Sequence, residues 1–157
     1  MWNKVQETVK FLQGAGVTTP DYGIILGTGL GNLVEKITMD ICIPYKEIPN
    51  FPVSTVAGHT GELIFGSIGT KKVIAMRGRF HYYEGWSMEQ TVFPVRVMKY
   101  LGVENLVVSN ASGGVNPAFE VGDIMIIIDH INLMPFHPRH GKTEDSFEPR
   151  LVEMTEA

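Results

Sequence analysis

One short stretch, Gly78-Arg79-Phe80-His81-Tyr82-Tyr83-Glu84-Gly85-Trp86, holds a guanidinium, an imidazole, two phenols and a carboxylate between two glycines. If the backbone is extended here, alternation puts Arg79, His81 and Tyr83 on one face and Phe80 and Tyr82 on the other. The first face can then bind an anion and a hydroxylated ligand while the second anchors in the core. An aromatic-rich strand end with a solvated arginine would have the same composition, so the rest of the chain has to decide.

Three other places carry residues suited to the same chemistry. An apolar run at residues 22–26 empties into Gly27-Thr28-Gly29-Leu30-Gly31-Asn32, where glycines let backbone N–H groups approach oxygen atoms and Thr28 adds a hydroxyl. The loop is neither a dinucleotide fingerprint, because Asn32 occupies the third glycine position, nor a P-loop, because no Gly-Lys-Ser/Thr follows. Taken alone it reads equally as a plain turn. His59 sits between Gly58 and Gly61, with little apolar cover, and is either a ligand-facing or an exposed loop histidine. Asn110-Ala111-Ser112-Gly113-Gly114 is a second strand-end loop able to form a backbone nest.

Other chemistries fit poorly. Ser112 lacks the Gly-x-Ser-x-Gly elbow of a hydrolase nucleophile. Cys42, between Ile41 and Ile43, reads as a small buried hydrophobe without the polar setting that lowers a thiol pKa. His137 and His140 have no Cys or acidic partner at metal spacing, and no metal site is expected.

The elements that must position these residues follow from apolar periodicity. Trp2, Val5, Val9 and Leu12 recur at helical spacing, and Gly14 and Gly16 end the pattern. Residues 22–26, 63–68, 73–76 and 105–109 are short apolar runs that predict strands, and 41–48, broken by Pro44, an edge strand. Val34 and Ile37 predict a short helix. Ser87-Met88-Glu89-Gln90 matches a capping box, so a helix starts at Met88 and runs towards Tyr100, with a kink at Pro94. Residues 123–128 are almost wholly apolar and predict a strand buried on both faces. Residues 129–149 are polar and proline-bearing, the kind of long stretch that is functional, a linker or disordered. A further helix is expected over residues 150–157. Strands alternating with helices place the chain in the α/β class. In open α/β sheets ligands bind at the carboxyl ends of strands, and Thr28, Arg79, His81 and Ala111 all lie just past such ends.

Composition narrows the partners. A chain of 157 residues with 44% hydrophobic and 19% charged residues is a globular protein of one-domain size. Net charge is −4 with no basic run, which argues against nucleic acid. An anionic ligand would therefore need a local positive pocket. The single cysteine cannot make an internal disulfide, no apolar run approaches membrane-spanning length, and the N-terminus carries no signal-peptide core. The expected compartment is the cytoplasm.

Four segments, in this order, resemble the homotrimeric purine nucleoside phosphorylases: Gly27-Thr28-Gly29-Leu30-Gly31, Phe51-Pro52-Val53-Ser54-Thr55-Val56-Ala57-Gly58-His59, Gly78-Arg79-Phe80-His81-Tyr82-Tyr83-Glu84-Gly85, and Asn110-Ala111-Ser112-Gly113-Gly114-Val115-Asn116-Pro117. The likeness continues through Phe119-Glu120-Val121-Gly122-Asp123 and Asp129-His130-Ile131-Asn132-Leu133 and spans nearly the whole chain. The Arg-Phe-His-x-Tyr-Glu-Gly segment separates this group from the methylthioadenosine phosphorylases, a more distant alternative.

The resemblance implies a central mixed, largely parallel twisted β-sheet flanked by helices, with residues 1–157 forming a single α/β domain that is the truncated N-terminal part of a longer one. It implies reversible phosphorolysis of inosine, guanosine and their deoxy forms to free base and (deoxy)ribose 1-phosphate. Inorganic phosphate is the co-substrate, and neither cofactor nor metal is needed. Carried over by position, Thr28, His59, Arg79, His81 and the backbone N–H of Ala111 would bind phosphate, and Tyr83 would face the ribose. Glu84 would orient His81 by accepting its other ring N–H; His81 and Glu84 are the catalytic candidates. Relatives continue well past this length and place the purine-binding groups in their distal half, so the chain alone is expected to be inactive or incomplete. A non-catalytic phosphate- or partner-binding protein is the alternative. Relatives also donate an aromatic residue from the neighbouring subunit; here Leu151 takes that position, with Phe147 four residues earlier.

Overall fold

Side-chain alternation along Lys71–Arg77 builds the central strand of the protein. Val73 and Ala75 turn to one face and Ile74 and Met76 to the other, and all four are at most 2% exposed. The computed structural model describes residues 1–27, 31–53 and 61–138. Thr28, His59, His140, Phe147, Leu151 and the helix expected over residues 150–157 lie outside the described residues. Two units, Met1–Ala111 and Ser112–Ala157, are each described by themselves.

The first unit is a five-stranded sheet. Its strands are β1 (Tyr22–Ile25), β2 (Thr38–Pro44), β3 (Glu62–Ile68), β4 (Lys71–Arg77) and β5 (Asn105–Val108), in the order β2-β3-β4-β1-β5. β2, β3 and β4 form an antiparallel meander, and β4, β1 and β5 run parallel. One apolar layer joins Ile74 and Met76 to helices α1 (Trp2–Gly14) and α2 (Met88–Tyr100) through Val5, Leu12, Val97 and Met98. The other face packs Val73 and Ala75 on Val34 and Ile37, which belong to or follow the 3₁₀ turn Gly31–Lys36.

The expected helix starts are present. Ser87 Oγ accepts from the Gln90 N–H at 3.2 Å, and Gln90 Oε1 accepts from the Ser87 N–H at 3.0 Å, the reciprocal pair that satisfies two end donors of α2. The helix continues through Pro94 to Tyr100. Pro94 is buried, and its lack of an N–H removes the helical donor to the Gln90 carbonyl. The Val34–Ile37 segment is a 3₁₀ turn followed by one residue, and β2 is an edge strand.

Two expectations are corrected. Residues 123–128 form no strand. In the second unit Ile124 is 94% exposed and Ile128 76%, and no ladder joins residues 123–128 to another described segment. Apolarity supplies a strand with a reason to be buried but not with hydrogen-bonding partners, and without a ladder the extended form has nothing to hold it. Cys42 is exposed, not buried. Its isoleucine neighbours misled because flanking residues in a strand point to the opposite face: Ile43 is buried and Cys42 is not. The thiol is nonetheless held above the ordinary cysteine pKa, first by partial desolvation of the sulfur and then by the Glu62 carboxylate, against the opposing pull of Arg77. Cys42 is therefore expected to alkylate slowly with iodoacetamide near neutral pH, and Glu62→Gln should raise the rate severalfold. A rate unchanged by Glu62→Gln would remove that carboxylate as a cause.

Candidate functional site

The carboxyl ends of β4, β1 and β5 lie side by side, because the three strands are parallel neighbours. β3 runs the other way, so its first residue, Glu62, pairs with Arg77 at the same edge. Gly27, Arg79 and Ser109 follow the ends of these three strands, and β3 begins at the same edge.

Gly78 makes the bend after β4, with a φ of 97° that disfavours any side chain. Its carbonyl accepts from the Tyr45 hydroxyl at 2.7 Å. Tyr45 itself is buried, and its backbone N–H donates to the Gly61 carbonyl at 2.9 Å. A Cβ on Gly61 would run into the Tyr45 ring, so one side chain fixes the start of the segment bearing Arg79 and the end of the segment bearing His59. Burial first, and the Glu62 carboxylate second, push the Tyr45 hydroxyl far above its usual pKa; it stays a hydrogen-bond donor.

Phe80 turns inward. It is 6% exposed and meets Tyr45, Phe51 and Trp86 at ring-centroid distances of 5.2, 6.5 and 5.8 Å. The core-facing role expected of Phe80 is present, and the backbone is still extended at His81, with a φ of -110° and a ψ of 140°, but the extended run goes no further. Residues 79–81 form an irregular link, and Tyr82–Glu84 is a 3₁₀ turn closed by Gly85 at a φ of 93°. Arg79, His81 and Tyr83 still come together, although Tyr83 belongs to the turn and not to the extended run. The His81 and Tyr83 rings stack at 4.7 Å and 21°, and Arg79 Nε lies 3.5 Å from His81 Nε2. Tyr83 is 81% exposed, so its ring presents a free face to solvent.

Glu84 differs from expectation. Its Oε2 accepts from the backbone N–H of His81 and from the indole N–H of Trp86, both at 3.2 Å. It braces the turn that carries His81, and does not hold the imidazole through its ring N–H.

Arg79 Nη1 donates to the Ser109 carbonyl at 2.8 Å. No carboxylate among the described residues pairs with this guanidinium, whereas Arg77, two residues earlier, is matched by Glu62 at 3.3 Å on an exposed surface. The two arginines thus separate by environment: Arg77 is a solvated, paired charge, and Arg79 is held by a main-chain carbonyl, without a carboxylate partner among the described residues. Ala111 is exposed, two residues past Ser109. Among the described residues no group of three His, Cys, Asp or Glu gathers as a metal site would require, and no helix is long and apolar enough to cross a membrane.

Ser109 and Tyr45 escaped the sequence reading. Their partners lie 82 and 33 residues away in sequence, so no local pattern marks them; only a hydroxyl at the end of an apolar strand gave any sign of Ser109.

A family model described as the phosphorylase superfamily matches residues 21–157. The chain belongs to the phosphorylase superfamily. It is 52% identical over 153 residues to purine nucleoside phosphorylase 1 of Geobacillus stearothermophilus, covering 98% of this chain and 56% of that protein. It is 50% identical over 155 residues to the purine nucleoside phosphorylase of Bos taurus, covering 97% and 54%. Among solved structures it is similar to isoform 2 of the Schistosoma mansoni enzyme in complex with cytosine and ribose-1-phosphate. That match has a TM-score of 0.73 at 45% identity, over 78% of this chain and 43% of that one. The mixed sheet flanked by helices is therefore that of the phosphorylases. The chain spans about half the length of the curated relatives it matches.

Proposed function

We propose that this chain carries the phosphate half of a purine nucleoside phosphorylase site, as the N-terminal part of a longer phosphorylase domain. The observation that carries the reading is Arg79: a guanidinium without a carboxylate partner among the described residues, tied to a strand end beside His81 and Tyr83. Its relatives bear the name of that enzyme, and the four motif segments support the same reading.

In this reading Thr28, His59, Arg79, His81 and the Ala111 N–H bind phosphate, Tyr83 faces the ribose, and Glu84 braces the His81 turn. The reaction breaks the bond between the purine and the anomeric carbon. The bonding pair leaves with the base, which takes up a proton, and a phosphate oxygen forms the new bond to that carbon. Charge develops on the ribosyl group as a cation, and a dianion held against it by fixed donors lowers the barrier without reorganisation. The planar guanidinium of Arg79 offers paired donors that match the geometry of phosphate oxygens. No cofactor or metal enters this scheme. The assembly is a homotrimer in the cytoplasm, with the region of Phe147 and Leu151 facing a neighbouring subunit.

Two measurements test it. Calorimetric titration of the 157-residue chain with inorganic phosphate should give saturable binding; none would overturn the assignment. When the chain is joined to the remaining length that its relatives carry, hypoxanthine should be released from inosine and phosphate. His81→Ala should then slow turnover by about 100-fold, the scale of removing one transition-state donor. An unchanged rate across neutral pH would take His81 out of the site.

A further inference from the structure

Ser109 directly follows β5, one of the two edge strands, and links three segments at the sheet's carboxyl edge. Its backbone N–H donates to the Ile25 carbonyl at 3.2 Å, continuing the β1–β5 ladder by one rung. Its Oγ accepts from the Gly27 N–H at 3.0 Å and lies 3.4 Å from the Ile25 carbonyl. Its own carbonyl accepts from Arg79 Nη1 at 2.8 Å. β1 lies between β4 and β5, so the Arg79–Ser109 contact reaches from the segment after β4 to the residue after β5, past the end of β1. Gly27 leaves room for that approach: a Cβ there would run into the Ser109 carbonyl.

The hydroxyl has a specific task in this arrangement. Gly27 is where β1 leaves the sheet for the glycine loop, so its N–H has passed the last main-chain acceptor of the ladder. A partly buried donor without a partner is costly, and Ser109 Oγ supplies the acceptor from a side chain. One residue therefore fixes the launch point of the glycine loop with its hydroxyl and the direction of the Arg79 guanidinium with its carbonyl.

We propose that Ser109 is a positioning residue of the anion site, its hydroxyl and carbonyl together setting Gly27 and Arg79 at the spacing a bound phosphate requires. This rests on the phosphate reading above. It predicts that affinity for phosphate depends on a hydroxyl at this position even though Ser109 need not touch the anion.

The test uses two replacements of nearly equal volume, Ser109→Thr, which keeps a hydroxyl, and Ser109→Val, which lacks one. Each is titrated with inorganic phosphate beside the wild-type chain and Arg79→Ala, at a temperature where circular dichroism shows all four folded. Ser109→Thr should bind within about twofold of wild type and Ser109→Val about 3- to 10-fold more weakly, the affinity equivalent of one ordinary hydrogen bond. Hydrogen exchange at the Gly27 amide should be slow in wild type and Ser109→Thr and faster in Ser109→Val. Equal affinity of the Val and Thr variants, or fast Gly27 exchange in the wild type, would overturn the role of Ser109. If wild type binds phosphate, Arg79→Ala does not and Ser109→Val binds as wild type, only the Ser109 inference falls. If wild type itself binds no phosphate, the phosphate site falls and takes this inference with it. Should Ser109→Val not fold, the wild-type exchange rate and the Ser109→Thr titration still decide the matter.

Discussion

Replacing Arg79 with alanine is expected to weaken phosphate binding by about 100-fold, the scale of losing two charge-assisted hydrogen bonds from one guanidinium. The side chain is held by the Ser109 carbonyl at 2.8 Å and stands beside His81, with no described carboxylate to neutralise it. Its loss removes both the charge and a contact that ties the end of β4 to the end of β5. Arg79→Lys should recover only part of the affinity, because a single ammonium cannot hold the carbonyl and fork onto an anion at once. In a chain extended to the length of its relatives, nucleoside binding should change far less than phosphate binding. Equal losses for the two ligands, measured by calorimetry, would contradict the assignment. Arg77→Ala is the natural control: its partner Glu62 is on the surface, and exposed ion pairs contribute little.

Replacing Phe80 with alanine should destabilise the fold by about 3–5 kcal/mol, the usual cost of emptying a buried aromatic position. The ring closes a cluster with Tyr45, Phe51 and Trp86, and Phe51 in turn meets Phe93 of α2 at 5.9 Å. Phe80 thus joins the segment between Arg79 and His81 to the layer formed by the sheet and α2. A clear fall in the urea midpoint is expected, with Phe80→Leu falling less. A midpoint unchanged by Phe80→Ala would mean that the segment folds independently of that layer.

The framework was readable because its signals are local. The apolar runs that became β1, β3, β4 and β5 are short and bounded by turn residues, and the Ser87–Gln90 box is a four-residue pattern that placed the start of α2 correctly. At the candidate site, residue types at strand ends pointed to Arg79 and His81, whose proximity the fold bears out. Most of the misses share a physical origin, which is dependence on something distant, and only the Glu84 one is local. Whether residues 123–128 form a strand depends on a partner strand, and whether Cys42 is buried depends on which face of β2 is covered. Glu84 was matched to the imidazole by analogy with carboxylate–histidine pairs, whereas the turn made the main-chain N–H the nearer donor. Tyr45 and Ser109 act on glycines far along the chain, and an isolated hydroxyl in an apolar stretch announces no such partner.

The Tyr45 hydroxyl on the Gly78 carbonyl has a consequence for how the protein would respond to acid and alkali. Because its folded pKa is raised above that of the unfolded chain, its contribution to stability is complete below about pH 10, the unfolded tyrosine value, and declines only above it. The latch beneath the Arg79 segment is therefore silent to protons throughout the neutral range. Any change in anion affinity between mildly acid and mildly alkaline solution would then come from groups other than this latch, with this part of the scaffold serving as a constant background.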